Sequence, residues 1–428
     1  MKKRKLSIGL FGLGTVGSEV VGLLAKGRRE LKRRYNIELH LKRIVEIDLN
    51  SEKAKMVPQS ILTPLADDIL NDPEIDTVIE LIGSVSPAKK IILTALKAGK
   101  NVVTANKALL AMDGNCIARE VEKNNCHLGF RAAITGCHET LNYLAHTSTI
   151  QSITGIFNST SNYILSGMEQ ANESMEKILK KAQKYGYAEQ NPSLDIGGVD
   201  AAHKLIILIR LAFATTLGMN ELYIEGISGI ALQDIQFARE MEYRIRLLGI
   251  ARRDGNKIEA RVHPCLLPEE APLSLLKGVE NGIQINDRSI GQVASFAEGA
   301  GGAPAASAVI SDLIDIAEGK STIWPREASE KLSVKPMNSV KFKYYIRFNA
   351  ENKPGVLARI ASLLGKHQVN IKTVVQKEES HHNFTPIIMT TDEAKEENVH
   401  RALKLIDQLT VIREKSTLIR IEDLFPTS

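Results

Sequence analysis

A disulfide-forming pattern, a membrane-spanning run and an excess of one charge are all missing from this chain of 428 residues. The four cysteines, Cys116, Cys126, Cys137 and Cys265, make no C-x-x-C pair and share no regular spacing. That argues against a disulfide scaffold or a structural zinc site and fits reduced thiols in the cytoplasm. The most apolar later stretch, residues 205–217, is broken by Arg210. It also falls short of the ~20 apolar residues that cross a bilayer. The basic opening, Lys2-Lys-Arg-Lys5 followed by apolar residues, imitates a signal peptide. Its apolar part, however, reads as a strand running into a glycine loop, so a soluble protein is expected. Lys and Arg number 55 against 50 Asp and Glu, and the net charge of +5 carries no nucleic-acid signature. One basic cluster, Arg28, Arg29, Lys32, Arg33 and Arg34, falls near the end of the first expected helix, where cations suit the helix dipole. No repeat of roughly 20 to 50 residues is present, which removes solenoid and propeller arrays.

What is present points to an α/β enzyme. With 43% hydrophobic and 25% charged residues the chain is an ordinary globular protein of two or three domains. An apolar run at residues 6–11 leads into Gly12-Leu-Gly14-Thr-Val-Gly17 and then a helical pattern, the context a dinucleotide-binding loop requires. In such a loop Gly12 permits the turn, Gly14 lets backbone approach a pyrophosphate, and Gly17 lets helix pack on strand. Strands at residues 39–47, 77–82 and 101–104 alternate with helices, one of them at 91–98, and predict a doubly wound parallel sheet. Ligands sit beyond the carboxyl ends of such strands, which makes Lys107 a site candidate. The second strand ends in Glu46-Ile47-Asp48, and a carboxylate there favours NAD over NADP. Arg43 or Lys53 could still reach the extra phosphate of NADP.

Residues 182–204 are the most informative stretch. They place Glu189, Asp195, Asp200 and Lys204 close together around Gly186 and Pro192. A helix expected over 201–217 puts Asp200 and Lys204, four apart, on one face. Carboxylates of this kind can hold an amine-bearing substrate while the ammonium moves a proton. An exposed Asp-Lys pair alone would be worth only about 0.3–0.5 kcal/mol and is common on helices. His203 reads as a packing residue. Residues 320–340 read as a linker. The remainder reads as a βαββαβ, ferredoxin-like module, with strands at 344–348, 369–376, 386–390 and 418–421 and helices at 356–366 and 397–409. His381 and His382 sit in its polar hairpin, where metal binding is not the favoured reading.

These motifs, in order along essentially the whole chain, resemble homoserine dehydrogenase. The glycine loop, Glu80-Leu-Ile-Gly83, Pro87-Ala88, Val102-Val-Thr-Ala-Asn-Lys107, Asn158 with Thr160-Ser-Asn-Tyr-Ile, residues 182–204 and Gly299-Ala-Gly-Gly-Ala-Pro304 carry the likeness. The tail with Asn352-Lys-Pro354-Gly355-Val-Leu resembles an ACT domain, an amino-acid-sensing module. The resemblance implies NAD(P)-dependent interconversion of L-homoserine and L-aspartate 4-semialdehyde, toward threonine and methionine. It implies Lys204, Lys107 and Asp200 as catalytic residues, and Glu189, Asp195, Asn158, Thr160 and Tyr187 as substrate-binding ones. Gly12, Gly14, Thr15, Val16, Gly17, Asp48, Gly83, Lys107 and Gly301 would bind NAD or NADP. Asn352, Pro354 and Gly355 would receive an amino-acid effector such as threonine, and a homodimer is expected. The implied layout is a Rossmann-like domain over 1–130 completed by residues near 299–320, an α+β catalytic and dimerisation domain over 131–320, a linker over 321–340, and the ACT domain over 341–428.

Departures from the family pattern raise an alternative. Arg131 stands where the family's cation site has glutamate, so no metal is carried over. Cys137, His138 and Glu139 interrupt a Gly-Gly-Ile-Pro turn, and Ser84, Ser159 and Ala297 replace glycines. Side chains at backbone-critical positions would mark a degenerate homologue with a binding role, or a dehydrogenase for another small amino or hydroxy acid. The retained charged set favours the enzyme.

Overall fold

A computed structural model describes residues 4–321, 323–326, 331–376 and 384–423. The chain divides into two compact units, one of Met1–Ile153, Ala202–Asn220 and Val279–Lys331, the other of Thr154–Ala201, Glu221–Gly278 and Leu332–Ser428. The helix Val199–Phe213 runs through the division.

The first unit is built on a parallel sheet of six strands in the order Leu62–Thr63, Ile37–Val45, Arg4–Phe11, Thr77–Glu80, Asn101–Thr104 and Leu128–Gly129. Strand order reverses at Arg4–Phe11, which places the ligand crevice of such a sheet beyond Phe11 and Glu80. Ile8, Leu10, Ile37 and Ile44 are buried with Val20 and Leu24 of the helix Thr15–Tyr35. Ala306, Val309 and Leu313 of the helix Gly302–Ala317 share that core. Several elements are displaced from their expected bounds for local reasons. Asn36 takes the left-handed conformation (φ 54°), so the second strand starts at once and ends at Val45 rather than residue 47. The helix expected at 91–98 is Val85–Lys97; its first turn accommodates Pro87, which has no N–H to satisfy.

The second unit carries the antiparallel ribbon Tyr243–Asp254 and Lys257–Pro268. Cys265 and Leu266 pair in parallel with Arg420 and Ile421, so the ribbon extends into the C-terminal sheet. That sheet has the order Thr417–Ile421, Lys341–Glu351, Phe384–Thr391, Ile371–Gln376. With the helices Val356–Lys366 and Glu396–Ile406 it forms the βαββαβ module, cored by Tyr344, Ile346, Phe348, Ile360, Leu364, Val399 and Ile406. The second helix stops short of residue 409, and the Asp407 carboxylate that follows accepts the Ser416 backbone N–H and hydroxyl. His381 and His382 lie outside the described residues. Among the described residues no helix is long and apolar enough to cross a membrane.

Candidate functional site

In the first unit the glycine loop is shaped by what a side chain would strike. Gly12 has φ 92°, and a Cβ there would lie 2.8 Å from the Leu81 carbonyl oxygen. A Cβ on Gly17 would lie 2.1 Å from the Gly12 oxygen. Gly14, by contrast, faces open space and caps the helix that begins with Thr15 and Val16 without any side-chain cap. Backbone N–H groups at an uncapped helix start, with nothing beyond Cα in the way, fit a dinucleotide pyrophosphate. Gly83 (φ 82°) and Gly301 (φ 110°) take conformations that favour glycine. Gly302 presses on the loop, since a Cβ there would meet Thr15 O at 2.9 Å.

The carboxylate that serves this loop is Glu46. Its Oε2 accepts the Leu13 N–H at 2.8 Å while Oε1 accepts from Ile47 and Asp48. Asp48 is exposed, and its own Oδ1 accepts the Asn50 N–H at 3.1 Å. Lys53 Nζ donates to Thr15 Oγ1 at 3.3 Å, whereas Arg43 is engaged by the Ser60 carbonyl at 2.6 Å. Glu80 is fully buried, accepts from Thr104 Oγ1 (2.6 Å) and the Ile82 N–H (2.8 Å), and burial pushes its pKa up against those bonds.

Lys107 opens the helix Lys107–Lys123, capped by Asn106, whose Oδ1 accepts the Leu109 N–H and whose Nδ2 donates to Ser84 O. A cation in the first helical turn opposes the dipole, which is the reverse of the usual preference. Lys204 is buried at 5% exposure, and Nζ donates to the Thr135 carbonyl at 3.2 Å. Burial pushes the neighbouring Cys137 thiol up to about 12, with the Lys204 charge opposing.

In the second unit Asn158 organises the acidic groups. Its Oδ1 caps the helix Ser159–Ala171 by accepting the Ser161 N–H at 2.7 Å. Its Nδ2 donates to Asp195 Oδ1 at 2.6 Å and to Asp200 Oδ2 at 2.9 Å. One amide therefore gathers two carboxylates. Thr160 Oγ1 donates to the Tyr187 carbonyl at 2.9 Å, and the Tyr187 ring lies 5.2 Å from that of Tyr163. Glu189 is exposed, and this stretch is tied through its backbone, with Gln183 Nε2 donating to the Glu189 oxygen at 3.2 Å. Asn352, Pro354 and Gly355 are exposed; Gly355 (φ 86°) caps the helix Val356–Lys366.

The departures prove mild in the backbone. Ser84 is extended (φ −89°), Ser159 begins a helix, and Ala297 sits in the strand Gly291–Glu298 opposite Asn281. None of the three takes a positive φ. Arg131 pairs with Asp312 and Asp315 at 2.6 and 2.7 Å. Among the described residues no cluster of three or more His, Cys, Asp or Glu could hold a metal. The sequence offers Glu46 and Asp48 as acids after the second strand, and the one it favours, Asp48, is not the one on the loop; it carries no signal for the Thr135 carbonyl or for the bridging role of Asn158.

The family model for the homoserine dehydrogenase NAD-binding domain matches residues 12–131, that for homoserine dehydrogenase matches 137–314, and that for the ACT domain matches 344–410. A homoserine dehydrogenase of Helicobacter pylori is 38% identical over 425 residues, covering 98% of this chain and 100% of that protein. One from Neisseria gonorrhoeae is 37% identical over 434 residues, covering 98% and 99%. The crystal structure of a homoserine dehydrogenase from Thiobacillus denitrificans aligns with a TM-score of 0.89 at 37% identity, covering 99% of each chain. Matches of this extent, over a glycine loop and a buried lysine whose surroundings suit nucleotide binding and proton transfer, show that the chain belongs to the homoserine dehydrogenase family of NAD(P)-dependent oxidoreductases and carries a C-terminal ACT domain.

Proposed function

We propose that the protein interconverts L-homoserine and L-aspartate 4-semialdehyde in the cytoplasm, as a homodimer, within the route to threonine and methionine. The observation that carries this reading is the helix Val199–Phe213, which bears Asp200, tethered by Asn158, and one turn later the buried Lys204. In this reading Asp195 and Asp200 receive the substrate ammonium, with Asn158, Thr160, Tyr187 and Glu189 completing its pocket. Lys204 and Lys107 would handle the proton of the reacting oxygen. As the aldehyde is reduced, an ammonium stabilises the charge growing on oxygen and donates a proton to it; in the other direction the amine takes that proton from the alcohol. Bound NAD(P) supplies hydride exchange at the carbon.

Gly12, Gly14, Thr15, Val16 and Gly17 would hold its pyrophosphate, and Gly83 and Gly301 would border the nicotinamide. NAD is favoured by the acids after the second strand, one oxygen of Asp48 accepting the Asn50 N–H; Lys53, which donates to Thr15 Oγ1, would be the cation to meet the extra phosphate of NADP. Nicotinamide absorbance at alkaline pH with L-homoserine, run separately with NAD and NADP, tests both points. Absorbance growth supports the reading, and silence with both cofactors from protein that binds nucleotide removes it. An amino acid, threonine first, is proposed to act at Asn352, Pro354 and Gly355; threonine at millimolar concentration should lower the rate and raise Tm, and no change in either removes the effector.

A further inference from the structure

Arg131 is gripped twice by one side chain. Its backbone N–H donates to Asp312 Oδ2 at 2.9 Å, and its Nη1 reaches Asp312 Oδ1 at 2.6 Å. Asp315, one helical turn along, takes Nη2 at 2.7 Å. The Asp312 side chain is wholly buried and that of Arg131 nearly so, at 11% exposure. The approach is engineered from both sides, because a Cβ on Gly129 would come within 2.5 Å of Asp312 Cβ. A planar guanidinium spanning two carboxylates fixes direction as well as charge, which a lysine cannot do.

What Arg131 fixes is the turn that holds Lys204. Arg131–Ile134 is a single 3-10 turn, closed by the Ala133 N–H on the Phe130 carbonyl at 3.0 Å. Thr135 continues it, its hydroxyl donating to the Ala132 carbonyl at 2.8 Å. The Thr135 carbonyl then accepts from Lys204 Nζ. A short, hydrogen-bonded path thus runs from the helix Gly302–Ala317 to the lysine. We infer that Arg131, with Asp312 and Asp315, is a positioning residue for Lys204, aiming the Thr135 carbonyl that orients its ammonium. The inference rests on the proposed role of Lys204 in proton transfer.

Three variants separate this from an ordinary buried ion pair. Arg131→Ala should lower kcat by about 10- to 100-fold, the scale of a misplaced catalytic group, with little change in KM for homoserine. Arg131→Lys, able to reach one carboxylate but not to span two, should recover only a small part of that loss. Ile316→Val, a core change on the same helix, should lower Tm while leaving kcat within about twofold. Hydrogen exchange of peptides covering residues 128–140 supplies a readout without substrate: it should rise in Arg131→Ala and stay unchanged in Ile316→Val. If Arg131→Ala matches Ile316→Val in kcat or in exchange, the positioning role is overturned. A wild-type protein inert toward homoserine overturns the preceding reading instead, while the exchange comparison still decides whether Arg131 holds the turn.

Discussion

The glycine loop and the acidic stretch before Lys204 are both candidate ligand sites, yet they are held in opposite ways. A Cβ on Gly12 or Gly17 would meet a backbone oxygen at 2.8 or 2.1 Å, so the shape is set by sterics that any side chain would violate. Asp195 and Asp200 share a partner amide, Asn158, which is remote in sequence and also caps a helix. Backbone sterics act at the point of contact and leave no room for a Cβ. A shared side-chain hydrogen bond acts over distance and can be removed while the fold stands. The comparison predicts that damage at Gly12 or Gly17 appears in folding and nucleotide binding together, whereas damage to the acidic cluster appears in substrate handling first.

The largest effect should come from Lys204→Ala. Loss of a positioned proton donor costs about 10²- to 10⁴-fold in kcat. Because the substitution removes a side chain and leaves the backbone of its helix untouched, far-UV circular dichroism and nucleotide binding should be retained. Gly17→Ala and Gly14→Ala sharpen the contrast on the loop side. The first forces a methyl against a backbone oxygen and should cost about 1–3 kcal/mol or more, with loss of nucleotide binding. The second meets no protein atom, so Tm should hold while KM for the cofactor rises. Equal Tm losses in the two variants would show that the loop is not shaped by sterics. Asn158→Ala should remove a cap worth about 1 kcal/mol and, by leaving two carboxylates without their shared donor, raise KM for homoserine roughly tenfold. A change in Tm alone would mean that Asn158 is a cap and nothing more.

The same contrast explains what could be read before the structure. The glycine loop is legible because a strand, a tight turn and a helix start are local, as is the Gly12 oxygen against Gly17; the Leu81 carbonyl against Gly12 is not. The βαββαβ module was legible for a related reason: its periodicities are short and its core is its own. Glu46 was harder. Two acids end the second strand, and which one turns back to Leu13 depends on where that strand stops, two residues earlier than its apolar pattern suggests. Arg131 stood out as a reversed charge, but Asp312 and Asp315 lie far along the chain and no spacing rule connects them. The Thr135 carbonyl carries no side-chain signal at all. Tertiary hydrogen bonds to backbone groups are the part of a site that sequence conceals most completely.

Glu80 gives the smallest and most specific test, because it is a side-chain brace on the side of the molecule otherwise governed by backbone. Its carboxyl joins the ends of two parallel strands through Thr104 and Ile82 while wholly buried. Burial raises its pKa above the ordinary glutamate value, and the hydrogen bonds only partly offset that. A carboxyl whose pKa is raised by folding holds its proton more tightly in the folded protein than in the unfolded chain. It therefore adds stability where it is protonated, and that contribution is lost as pH rises from the ordinary carboxylate range through the folded value. Glu80→Gln keeps the shape and an acceptor but cannot ionise. The Tm difference, variant minus wild type, should thus increase as pH is raised from about 4 toward 8, with the change concentrated above the ordinary glutamate pKa. A difference that stays flat would mean that Glu80 keeps its charge at no cost, and that the hydrogen bonds from Thr104 and Ile82 outweigh its burial. The loop side of the comparison would then depend on a side chain as much as the acidic side does.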